Sequence, residues 1–490
     1  MEKFSQSILD LMIPASQQER DAAEQNVRRI EATLVLLSKQ GFPTQSPTSF
    51  EDICATPADQ FLAPLQPRRD LTGDRKAAEK IELRMVQQRT NAFIEIFSGQ
   101  APTDVGKKNN SPLSNLSFAH KDVFVSNNRF PTEGASGGHK WIGPRSECLT
   151  KLEAAGSRAV GATNLDAFCY TALGLNRDFG RVLNPHDRRF AIGGSSSGSA
   201  AAVAAGAVDF ALSTDTGGST RIPASLCGTY GLKPTYGAIY DLGVAPLSKS
   251  HDTVGVLSKD FAVIRDVFAV ISSRDFPPQK SDYQNRQGPP SIRIGINTAD
   301  LNCGLDADVE YAFSAFVQRC ARFGEVAEVP FPSVDNLNTV ASVITAYEAV
   351  RTHQHAIAEN PQHFPQAVLN RLLVGQFMPD ETYQLAISLR APFLLHILDT
   401  VFADVDFLIC PTIRCAAPQI DQIEDTNAAE IGRISLEFLR QNRPFSYLGL
   451  PSLSVPAGHD INGIPIGAQI IGKPNAESDL LSFAQMLFTI

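Results

Sequence analysis

The chain has 490 residues, 43% of them hydrophobic, and 43 Lys+Arg against 52 Asp+Glu give a formal net charge of −9. That length supports a large buried core, and the mildly acidic balance, with no Lys/Arg run interleaved with aromatics, argues against a nucleic-acid-binding surface. Eight cysteines scattered without CxxC pairs exclude a disulfide frame and a cysteine-based zinc site, and no metal site is expected.

The opening Met1-Glu2-Lys3-Phe4-Ser5-Gln6 has no basic stretch leading into an apolar run, so no export signal is expected. The most apolar window, Ala200 to Leu212, is broken by Gly206 and Asp209 and is too short for a membrane span, so the expected location is cytoplasmic. After Pro14, Ser16-Gln17-Gln18-Glu19 fits a capping box, and the polar–apolar pattern predicts a helix to Lys39 before Gly41 and Pro43 stop it. Residues 42–73 read as a connecting loop. A second helix is predicted from Asp74 to Ser98, with Ala77, Ile81, Met85 and Val86 near helical spacing.

From Leu116 to about Ser258, short apolar runs alternate with Gly-rich turns and small-residue helices, the pattern of an α/β layer fold. Pro277 to Pro290 reads as an exposed excursion, Ser291–Ile296 as a strand and Asp306–Phe323 as a helix. Residues 336–400 read mostly helical and Asp406–Cys410 as a buried strand. Strands follow around Leu453–Val455 and Ile466–Ile471, then a closing helix. The expected organisation is a helical appendage and loop over 1–75 and one large domain over 76–490, whose helical region at 336–400 shapes the substrate pocket.

Three segments carry hydroxyls and a lysine among small residues: Ala119-His120-Lys121-Asp122, Gly193 to Ser199, and Asp215 to Ala224. Splitting an amide takes a nucleophile, a group that removes its proton, and donors for the developing oxyanion. Gly217-Gly218-Ser219 can bring several backbone N–H groups to one point, because glycine lets the chain turn without a Cβ in the way. A serine closing such a nest is placed as a nucleophile, a lysine can serve as base, and a second serine can relay the proton between them. Neither Gly-rich segment has the GxxxxGK[ST] spacing of a phosphate loop.

From about Asn91 to Asp260 and from Asp404 to Gln485 the chain resembles the amidase signature family. The likeness rests on GATN at 161–164, NPHD at 184–187, GGSSSGSAAAVAAG at 193–206 and STDTGGSTRIPASLCGTYGLKPTYG at 213–237, with CPT at 410–412, PFSYLGLPSLSVPAG at 444–458 and GIPIGAQIIGKP at 463–474. The resemblance implies an α/β fold with a central mixed, twisted sheet covered by helices. It also implies a Ser–Ser–Lys triad acting through an acyl-enzyme, without cofactor: Lys121 as base, Ser195 as relay after a cis peptide bond, Ser219 as nucleophile. It further implies backbone oxyanion donors at Thr216, Gly217, Gly218 and Ser219, and loop support from Ser196, Asp215 and Arg221. Cys169, Tyr170 and Leu173 fall in a variable segment expected to line the acyl pocket. The apolar character of this segment and of Leu373 and Phe377 points to a neutral amide, anilide or carbamate.

His120 stands where the family usually has a small or aliphatic residue, and it is expected to pack as a neutral group. The expected partners are a small-molecule amide substrate and a second copy of the chain in a homodimer, with no nucleic acid. An alternative is the amidase subunit of a tRNA-dependent amidotransferase, which takes ammonia from glutamine and feeds it to a partner. A remote alternative is an α/β-hydrolase esterase using Ser196 in G-x-S-x-G at 194–198, with a base drawn from His353, His355, His363, His396 or His459.

Overall fold

The computed structural model describes residues 16–39, 49–55, 75–97, 111–127, 129–137, 140–273, 292–424 and 426–489. Most of the loop expected at 42–73 and all of the excursion at 277–290 lie outside the described residues.

Eleven strands form one mixed sheet: β1 Phe93–Ile96, β2 Ser117–Lys121, β3 Arg158–Thr163, β4 Phe210–Asp215, β5 Tyr230–Lys233, β6 Thr253–Ser258, β7 Ile292–Ile296, β8 Gly324–Glu328, β9 Phe407–Pro411, β10 Ser452–His459 and β11 Pro465–Ile471. The order across the sheet is β1-β3-β2-β4-β6-β5-β10-β11-β9-β7-β8. β3, β2 and β4 run parallel at one end and β9, β7 and β8 at the other, while the middle is antiparallel. Every residue of β2, β4, β6, β9 and β11 is buried. Strands covered on both faces are expected to read as continuous apolar or small-residue runs instead of alternating ones, as these do.

The predicted helix at the start is present as Gln17–Lys39, with Glu19 accepting from the Ser16 N–H at 2.7 Å and Ser16 Oγ accepting from the Glu19 N–H at 3.3 Å. It docks through Val27, Leu34 and Leu37 into a core shared with the helix Val334–Glu359, and Glu31 accepts from Thr382 Oγ1 at 3.1 Å. The second predicted helix is shorter than its periodicity suggests, ending at Thr90. Asn91 turns the chain with φ 53°, its side-chain amide donating to the carbonyls of Phe179, Gly180 and Arg181 at 2.8–3.1 Å. Phe93 to Ile96 then joins the sheet edge antiparallel to β3, a pairing that local periodicity does not encode. The helical region resolves into Val334–Glu359, Gln366–Gln376, Asp380–Ser388 and Arg390–Thr400.

Candidate active site

Parallel pairing of β2 and β4 assembles the first part of the site. The register His120↔Leu212 carries Lys121, the last residue of β2, to the same sheet end as Thr214 and Asp215. Loops leaving the carboxyl ends of parallel strands are where an open α/β sheet places its chemistry. Lys121 Nζ lies 2.8 Å from Ser195 Oγ and 2.9 Å from Thr214 Oγ1, and both Lys121 and Ser195 have no exposed surface. Asp122, next in sequence, is ion-paired with Arg129 and accepts from Thr132 Oγ1 at 2.6 Å, so it anchors the end of β2.

Ser195 follows a cis Gly194–Ser195 peptide bond and its carbonyl accepts from the Asp166 N–H at 3.2 Å. A Cβ on Gly194 would meet Asp166 Oδ1 at 2.2 Å, so only glycine lets the backbone lie against that carboxylate. Burial pushes the Asp166 carboxyl up to about 6, against the opposing pull of its hydrogen bonds from Leu173, Thr171 and Gly174. Ser196 donates its N–H to the Ser219 carbonyl at 3.2 Å and its hydroxyl to the Thr214 carbonyl at 3.2 Å. With that hydroxyl spent on a backbone carbonyl, the G-x-S-x-G reading loses its nucleophile.

The Ser219 loop folds on an ion pair. Arg221 Nη2 and Nε donate to Asp215 Oδ1 and Oδ2, both at 2.9 Å, and both side chains are wholly buried. Asp215 also accepts from the N–H groups of Gly218 at 2.7 Å and Thr220 at 3.2 Å. Burial alone would raise the Asp215 carboxyl, but the Arg221 guanidinium outweighs it and holds the group down at about 2. The Gly218 N–H is thus consumed in closing the loop. Among the described residues the N–H groups of Thr216, Gly217 and Ser219 have no internal acceptor, so three of the four expected donors are open. Gly218 has φ 131°, and a Cβ there would lie 2.7 Å from both Asn442 Cβ and Ile222 Cδ1.

His120 is fully buried between the rings of Phe97 and Phe124, with Nδ1 3.1 Å from the Lys121 carbonyl and Nε2 without a partner. Burial pushes it down to about 4, as a neutral packed ring requires.

A cavity opens beside Ser219. Cys169 and Tyr170 line it, whereas Leu173 is buried apart from it in an apolar cluster with Ile222 and Leu226. The pocket is not the apolar one the sequence suggests, because Arg371 and Arg443 stand in its wall with Thr216, Gly217, Thr345 and Leu439. Arg371 comes from the helix Gln366–Gln376 and Arg443 from the short helix after Asn442, elements far apart in sequence. Neither lies in a recognisable motif, so no sequence signal singles them out from ordinary surface arginines.

A family model described as Amidase matches residues 77–481. One of the subunits of the glutamyl-tRNA(Gln) amidotransferase of Methanosarcina mazei is 33% identical over 368 residues, 69% of this chain and 76% of that one. Its namesake from Symbiobacterium thermophilum is 29% identical over 467 residues, covering 84% and 93% of the two chains. Among solved structures, an amidase superposes with TM-score 0.74 at 27% identity, covering 84% of this chain and 94% of the other. The glutamyl-tRNA(Gln) amidotransferase subunit from Thermotoga maritima gives TM-score 0.69 at 26% identity, covering 84% and 91%.

These relatives correct the expectation of a small-molecule substrate, no nucleic acid and a homodimer. They are named as one subunit of a larger enzyme, and the name carries a tRNA. An acidic net charge is an average over the whole surface and carries no information about membership of a larger assembly. Among the described residues no helix is long and apolar enough to cross a membrane.

Proposed function

The chain belongs to the amidase family of enzymes acting on C–N bonds, and from that premise we propose that it splits an amide through an acyl-enzyme on Ser219, as the amidase subunit of a tRNA-dependent amidotransferase. The observation that carries the chemistry is the buried contact of Lys121 Nζ with Ser195 Oγ at 2.8 Å, in the same loop system as Ser219. Lys121 takes the proton of Ser195, and Ser195 takes that of Ser219. Ser219 Oγ attacks the amide carbonyl while the N–H groups of Thr216, Gly217 and Ser219 receive the developing negative charge. The proton returns to the leaving nitrogen as the C–N bond breaks. Water then enters by the same relay, releasing the acid and restoring Ser219. Asp215 and Arg221 hold the loop and Ser196 ties it to the relay serine, without touching the reacting atoms.

The amidotransferase assignment is supported by the relatives' shared name over most of both chains. In it, the ammonia released at Ser219 passes to a partner subunit that amidates an aminoacyl-tRNA. The deciding experiment measures ammonia release from glutamine by the chain alone and with candidate partner subunits and charged tRNA, beside Ser219→Ala. Turnover that depends on the partner and vanishes in Ser219→Ala is expected. Turnover unchanged by any partner would remove the amidotransferase assignment, and turnover surviving Ser219→Ala would remove the mechanism.

A further inference from the structure

We propose that Asp252 is a positioning residue for the reaction at Ser219: its carboxylate clamps the Thr216 hydroxyl and the Leu247 amide, and so fixes the direction in which the Thr216 N–H meets the oxyanion. The inference deepens the reading above and rests on it, since it names what holds the first of the three open donors in place.

Antiparallel pairing brings the two side chains together. β4 and β6 are in register at Asp215↔Thr253, so the next residues outward along the two strands are Thr216 and Asp252. Thr216 Oγ1 donates to Asp252 Oδ1 at 2.6 Å, and the N–H groups of Leu247 and Ser248 donate to Oδ2 at 2.7 and 3.0 Å. Thr216 and Leu247 both line the cavity beside Ser219, so one carboxylate braces two points of its wall.

Three donors converge on a group with two oxygens. An ionised carboxylate accepts all of them, whereas a protonated one has to turn its O–H towards Thr216 Oγ1 and reverse that bond. The 2.6 Å length falls in the range of hydrogen bonds from a hydroxyl to a charged oxygen. Threonine is stiff about χ1 because both branches sit on Cβ. A hydroxyl held at one point therefore fixes the Cα–Cβ direction and, through it, the turn of the peptide N–H. Thr216 is buried, and among the described residues its Oγ1 has no other hydrogen-bond partner, so the clamp on this side chain is Asp252 alone. An oxyanion donor is worth most when its direction is set before the charge develops.

Asp252 is itself held from behind. Glu348, on the helix Val334–Glu359, accepts from Ser248 Oγ at 2.6 Å, from the Ser250 N–H at 3.0 Å and from the Tyr383 hydroxyl at 2.8 Å. The loop 247–252 is thus tied between the Ser219 loop and the helical region. This arrangement does not favour folding: burial, with the charge of Glu348 added to it, pushes the Asp252 carboxyl up to about 7 against the hydrogen bonds it accepts. A carboxylate kept against that cost is explained by what it holds in place. An asparagine there still accepts from the Leu247 and Ser248 N–H groups through its oxygen, but its NH2 faces Thr216 Oγ1 and donates where Asp252 accepts.

The test is a double-mutant cycle on Asp252→Asn and Thr216→Val, run on the full chain, with partner subunits and charged tRNA where turnover needs them. Two rates are followed: ammonia release from glutamine, and covalent labelling of Ser219 by an alkyl fluorophosphonate, which needs the oxyanion donors but no particular amide. Each single variant should lower kcat and the labelling rate roughly 10- to 100-fold, with KM changed by less than about threefold. The double variant should lose no more than the larger single one, because the carboxylate acts through that hydroxyl. Thr216→Ser, which keeps the hydroxyl, should stay within about fivefold of the parent, and the urea midpoint of Asp252→Asn should equal or exceed the parent's. Additive losses in the cycle, full activity in Asp252→Asn, or a fall in its urea midpoint large enough to account for the lost activity would each overturn the inference. Ser219→Ala separates this failure from that of the mechanism beneath it. Labelling or turnover that survives Ser219→Ala removes both, whereas loss there together with an additive cycle removes the role of Asp252 alone.

Discussion

Two buried arginines flank the Ser219 loop and live in opposite electrostatic settings. Arg221 is locked to Asp215 by two 2.9 Å bonds, and that pair in turn holds the Gly218 and Thr220 amides. Arg443, on the far side of Gly217, has a serine hydroxyl and a second arginine for neighbours. A buried charge that is neutralised belongs to the scaffold. One left uncompensated is retained at a cost that stability alone does not explain, and such sites are where ligands bind.

The contrast can be broken at several points. The largest expected effect falls on the proposed proton relay: Lys121→Ala should lower kcat by roughly 10⁴-fold or more while leaving the melting transition in place. Activity within tenfold of the parent would mean that the lysine serves the scaffold and not the chemistry.

Next come the arginines themselves. Arg221→Met leaves the Asp215 carboxylate buried alone and should cost about 3–5 kcal/mol in chemical denaturation, whereas Arg443→Met should be within about 1 kcal/mol of the parent or more stable. Equal losses in both would erase the distinction between the paired and the uncompensated charge.

The smallest effect is on pH dependence. His120, held at about 4 by burial, refuses the proton that the unfolded chain accepts near 6.5. Unfolding therefore takes up a proton at this group between those values, so His120 removes up to ~3 kcal/mol of stability as pH drops from 6.5 towards 4, against Asp166 and Asp252, whose raised carboxyls act in the opposite direction over the same range. His251, also pushed down by burial, adds to the same limb. Asp215, held at about 2, contributes a separate loss only below its unfolded value of 3.8. Urea midpoints should lose less, or gain more, on going from pH 6.5 to 4 in His120→Phe than in the parent. Identical slopes would show that the ring is not the titrating group.

The comparison also separates what could be read along the chain from what could not. The capping box at Ser16 and Glu19, the Gly-rich runs ending at Ser195 and Ser219, and the small-residue helix after Ser197 are local features, in which turn chemistry and packing depend on adjacent residues. Lys121, Ser195, Ser219, Asp215 and Arg221 all sit in short contiguous segments, and the resemblance of those segments to the family's motifs singled them out.

Other features were settled only by tertiary structure. Phe93 to Ile96 left a helical pattern because a strand edge was available beside β3. The Gly218 amide went to Asp215 because the loop closes on that carboxylate. Leu173 fell away from the cavity, while Arg371 and Arg443 came to it from helices some 70 residues apart in the chain. An arginine's spacing says only that it carries a charge. Whether that charge meets an acid, as at Arg221, or faces an open cavity, as at Arg443, is decided by which distant elements pack against it.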